Sequence, residues 1–123
     1  MKSTYTFLLL TFFFTQPNFS QKFDPKLISK ESEINFASTH ERGIEKNNII
    51  YFVEKDLQTI SAYKNNKLQW QTNVINICGK PKVGEPKIRY LKYKITKLLV
   101  VYGKHDFAEV DIQNGKTNFL GSD

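Results

Sequence analysis

The sequence predicts an all-β domain: a small antiparallel meander of about seven short strands, folded as a sandwich or a curled sheet. Three observations predict it. Two solid runs of β-branched, aliphatic and aromatic residues, IIYFV at 49–53 and LLVVY at 98–102, have the length and composition of buried strands. Segments that alternate between two faces lie beside them, at 57–63, 68–72 and 107–112. The pairs Asn65-Asn66 and Asn114-Gly115 separate these segments, and both suit tight hairpins because Asn and Gly tolerate left-handed backbone angles.

The chain of 123 residues has room for one domain. It carries 18 Lys and Arg against 12 Asp and Glu, a net charge of +6. Its single cysteine, Cys78, excludes an intramolecular disulfide and a cysteine-based zinc site. At 40% hydrophobic and 14% aromatic, the composition is too rich for a disordered chain.

Residues 1–20 read as a secretory signal peptide. Met1-Lys2 precedes an apolar segment, YTFLLLTFFF at 5–14, and a polar tail containing Pro17. That apolar segment is about half the length a membrane-spanning helix needs. A buried N-terminal strand or helix is the alternative reading. Cleavage after Ser20 leaves 103 residues with 17 bases against 12 acids, a charge of +5, and no transmembrane segment. The expected location is exported, periplasmic or extracellular.

Residues 21–47 are polar and irregular, a lead-in in which Asp24-Pro25 is suited to start a helical turn. The β domain is expected over 48–123. After the strand at 49–53 come a turn at 54–56, a strand at 57–63, a turn at 64–67, a strand over 68–72 and its continuation at 74–77. Residues 78–87 hold two Gly and two Pro and form a loop. Strands follow at 88–93, 98–102, 107–112 and 117–120, with turns at 94–97, 103–106 and 113–116. The apolar parity shifts between Tyr90 and Leu91, which predicts a bulge.

The two halves repeat. With an offset of 49, IIYFV falls on LLVVY and NNKLQW at 65–70 falls on NGKTNF at 114–119. A strand-built period of this size is propeller-like. VDIQNGKTNF at 110–119 resembles the quinoprotein-type (PQQ-like) β-propeller blade, in which an apolar residue and Asp lead into a Thr/Asn-Gly-Lys turn and end on an aromatic. On that resemblance, Asp111 and Gly115 take the conspicuous turn positions and Phe119 stands where Trp is usual. The first copy (48–73) keeps Trp70 but has Asn66 in place of Gly; the second spans 97–121. The resemblance implies a blade-like meander. Two copies cannot close a ring of four or more blades, so no quinone-binding residue is carried over, and no cofactor is expected.

The chemistry-bearing residues are few. His105, Asp106 and Glu109 admit a small secreted hydrolase or metal-dependent enzyme. Asp111 reads instead as a turn residue, bonding the backbone near Asn114-Gly115. No Ser-His-Asp spacing, HExxH or glycine-rich phosphate loop is present. Cys78 reads as a small buried side chain. Charge placement is more informative. From Lys80 to Lys104 there are eight bases and one acid, Glu85, with Tyr90 and Tyr93 among them. Arg89, Tyr90, Lys92, Tyr93, Lys94 and Lys97 are the candidate binding residues of this stripe. A solvated face with edge-strand lysines is the plainer reading. The expected function is a non-catalytic binding module whose partner is a protein or an anionic surface polymer. Export disfavours nucleic acid, and self-association could close exposed sheet edges.

Overall fold

The computed structural model describes residues 24–123. The apolar segment read as a signal peptide lies outside the described residues. Ten strands and one short helix follow in order: β1 (Ile28–Ser29), β2 (Glu33–Asn35), β3 (Gly43–Lys46), β4 (Ile49–Val53), β5 (Thr59–Lys64), β6 (Lys67–Asn73), α1 (Val74–Cys78), β7 (Ile88–Tyr93), β8 (Lys97–Tyr102), β9 (Asp106–Asp111) and β10 (Thr117–Ser122). They form two five-stranded sheets, ordered β1-β3-β4-β5-β6 and β10-β9-β8-β7-β2. Each sheet is a four-stranded antiparallel meander, β3–β6 or β7–β10, with one short strand added from the N-terminal segment.

The sheets pack face to face because each presents an apolar row. Tyr51, Val53, Ile60 and Ala62 of the first meet Leu91, Leu98, Val100, Tyr102, Ala108 and Val110 of the second in one buried cluster. The architecture is therefore a sandwich of two sheets, not a single curled sheet. The solid apolar runs have a physical cause. In β4 and β8, residues on both faces are buried: Phe52 and Val101, on the outer faces, are as sheltered as strand centres. Tyr63, also on the outer face of the first sheet, donates to Glu54 Oε2 at 2.7 Å.

The lead-in differs from expectation. Asp24 does cap a turn of 3-10 helix at Pro25–Leu27, its Oδ1 accepting from Lys26 N at 2.9 Å. Beyond it, however, residues 28–46 are woven into the sandwich. The chain pairs with the first sheet as β1, crosses to the second as β2, and returns as β3. Ile34 of β2 and Ile44 of β3 belong to the core. The strand count rises from about seven to ten because these three segments are too short for alternation to declare itself.

The continuation at 74–77 is also different. Asn73 Oδ1 accepts from Asn76 N at 2.8 Å and starts α1, which buries Val74 and Ile75 against the sheets. Leu57, read as a strand residue, sits in the β4–β5 turn at φ 60°. The bulge in β7 occurs between Ile88 and Tyr90, so Arg89 is the extra residue, one step before the predicted shift.

Candidate functional site

Four of the six hairpins of the two meanders, β3–β4, β5–β6, β7–β8 and β9–β10, turn at the same end of the sandwich. The β3–β4 and β5–β6 turns are two-residue turns built on Asn pairs in the left-handed region: Asn47 and Asn48 at φ 54° and 65°, Asn65 and Asn66 at 52° and 63°. The β9–β10 turn is longer than the two-residue hairpin that Asn-Gly favours. Gly115 N donates to Asp111 O, and Asp111 N to Lys116 O, both at 2.8 Å. The Asp111 carboxylate accepts from Gln113 N, and Asn114 Oδ1 from Lys116 N. In the β7–β8 turn, Thr96 N donates to Lys94 O at 2.7 Å across Ile95, which stands at φ 67°. This is the strained hand of the three-residue turn.

Cross-links hold the four turns together. Asn47 Nδ2 donates to Tyr93 OH at 3.3 Å, and Ile112 N to Thr96 O at 3.3 Å. Trp70 Nε1 donates to Ile112 O at 2.8 Å. The Trp70 ring lies flush on Gly115: a Cβ there would come within 2.6 Å of it, and at φ 77° a side chain would be strained as well. Tyr51 stands between Trp70 and Tyr93, with ring centroids 6.2 and 5.8 Å away.

The chemistry of this end is basic. Lys46, Lys64, Lys67, Lys94, Lys97 and Lys116 all flank its turns. Among the described residues, Lys97 pairs with Glu109 at 3.6 Å and nearby Lys30 with Glu45 at 2.6 Å. Lys46 Nζ donates to Lys30 O. Asp111 is committed to its turn. Lys64, Lys67, Lys94 and Lys116 are exposed and make no ion pair among the described residues.

The predicted stripe is thereby divided. Lys94 and Lys97 belong to the hairpin end. Arg89 lies at the opposite end, where its Nε and Nη2 donate to Gly103 O and Lys104 O, each at 2.7 Å. Lys92 and Tyr90 point outward from the second sheet, half-buried. The Tyr90 hydroxyl donates to Glu33, a bond that, with lesser burial, pushes its pKa up to about 12. Tyr93 points inward against Tyr51. The six residues do not form one surface, because strand alternation and the Arg89 bulge distribute them. What sequence reading missed is the set Lys46, Lys64, Lys67 and Lys116. The signal is visible: Lys-Asn-Asn occurs at 46–48 and at 64–66.

The residues of the enzyme alternative separate too. Asp106 faces the sandwich interior and accepts from Ser122 Oγ at 2.5 Å, whereas Glu109 points outward to Lys97. His105 is exposed in the preceding turn. Burial and the neighbouring Asp106 raise the Cys78 thiol pKa, which opposes thiolate chemistry. No three His, Cys, Asp or Glu side chains among the described residues gather to hold a metal ion. An open groove of about 1120 Å³ lies on the far side of the first sheet, beside Arg42, Phe52 and Asp56. Arg42 and Asp56 there serve the fold: Arg42 stacks over Phe36 and donates to Glu54 O, and Asp56 accepts from Gln58 N and Thr59 N. Comparison with family models, with curated proteins and with solved structures yields no match.

Proposed function

We propose that this protein is an exported, non-catalytic binding module that holds an anionic polymer or surface through the lysines of its hairpin end. One observation carries the reading: four turns from two sheets bring six lysines to one end, and five of them, four exposed, have no acidic partner among the described residues. Lysines on rigid hairpins act as fixed roots for mobile point charges, which suits dense negative charge rather than one oriented small anion. The quinoprotein-blade resemblance remains part of this reading. It is supported by the matching order of β3–β6 and β7–β10 and by the way Trp70 of one meander seats on Gly115 of the other. It brings no cofactor with it.

Retention on a heparin column tests the proposal. Four neutralised charges on a flexible polyanion give a slope of log affinity against log salt of about −3. Lys64→Glu with Lys116→Glu is expected to lower the eluting salt markedly, and Lys80→Glu with Lys82→Glu, at the other end, much less. Elution of the wild type with neutral proteins would refute the reading.

A further inference from the structure

We infer that the hairpin end docks on an anionic lipid surface, with Ile95 as the apolar side chain that enters the headgroup layer. This rests on the binding module proposed above and narrows its ligand to a bilayer. Two independent observations meet at the β7–β8 turn. The first is exposure. Ile95 is 75% exposed, the highest value among the exposed large hydrophobic residues described, and it projects between Lys94 and Lys97. The second is backbone strain. Ile95 holds φ 67°, a region that a β-branched side chain disfavours. The other left-handed positions at this end are filled by Asn47, Asn48, Asn65, Asn66 and Gly115, the residue types that fit. Ile95 departs from that pattern and gains little buried contact in return.

A soluble polyanion offers an isolated aliphatic side chain nothing to bind. A bilayer offers both halves of what is present here: acyl chains at the interface for Ile95, and phosphates for the surrounding lysines. The aromatic side chains nearby do not provide a stacking platform for bases or sugars. Trp70 and Tyr93 are turned inward and engaged with Gly115 and Tyr51. The arrangement reads charge density and apolar depth together.

Co-sedimentation of the full chain with vesicles tests this. Vesicles of phosphatidylcholine alone are compared with vesicles in which one third is replaced by phosphatidylglycerol, and heparin retention is measured in parallel. Wild type is expected to prefer the anionic vesicles by about ten-fold or more. Ile95→Asn fits the turn and so folds. It is expected to lower affinity for the anionic vesicles about ten-fold while leaving heparin elution unchanged. Lys94→Glu with Lys116→Glu is expected to lower both. A wild type without preference for anionic vesicles, or an Ile95→Asn variant that binds them as tightly as the wild type, overturns the lipid inference. Heparin retention in either case identifies a soluble polyanion as the ligand and leaves the binding module standing. Loss of heparin retention in the wild type defeats the binding module itself.

Discussion

Ile95 is the residue at which stability and the proposed function pull apart. Its left-handed backbone costs about 1–2 kcal/mol relative to an extended one, and its exposed side chain recovers little of that. Ile95→Asn is therefore expected to raise the free energy of unfolding by about 1 kcal/mol, read as a higher urea midpoint with unchanged slope. The same change is expected to weaken lipid binding. A residue with a purely structural role would not improve the fold by being replaced. At Gly115 the reverse holds. The left-handed angle and the Trp70 ring both require the absence of a side chain, and the fold is adapted to that need.

At the scale of elements, β2 shows how little sequence signal a functional strand can carry. It has three residues, Glu33–Asn35, and only Ile34 faces inward. Yet Ile34 is buried in the common core and its strand closes the edge of the second sheet. Ile34→Ala is expected to destabilise by about 2–4 kcal/mol, measured by chemical denaturation. An exposed lead-in would give a change near zero. The longer strands were legible because a meander places each strand beside its sequence neighbour, so turn residues and alternation carry the pairing. Asn65 and Asn66 stand in the β5–β6 turn at φ 52° and 63°. Val74–Ile77 was not legible because three β-branched residues in four fit a strand and a buried helix turn equally well. Only the Asn73 cap distinguishes them. The candidate site was half legible. A lysine beside each turn can be read from the chain, but the convergence of four turns on one end depends on strand direction and sheet packing.

For the whole molecule, the raised tyrosine pKa values set an alkaline limit. Tyr51, Tyr63 and Tyr102 are pushed up to about 12, chiefly by burial, and Tyr90 to about 12, chiefly by its bond to Glu33. The unfolded chain releases these protons near the ordinary phenol value of 10, while the folded chain keeps them. Stability is thus expected to be level below pH 10 and to fall steadily between about 10 and 12. Urea midpoints followed across that range check it, with phenolate absorbance showing whether ionisation and unfolding coincide. A midpoint that stays constant through pH 11 would contradict the sign.

The weaving of residues 28–46 between the sheets has a kinetic side. β1 and β3 close over a short stretch of chain, but β2 must wait for β7, whose first residue lies 53 positions beyond the last of β2. Each meander can assemble from neighbouring hairpins, whereas this seam is tied only once β7 is in place. A ribosome would release most of the chain before the knotting strand had anything to hold. The seam is then expected to form late in folding and to be an early place for unravelling to start.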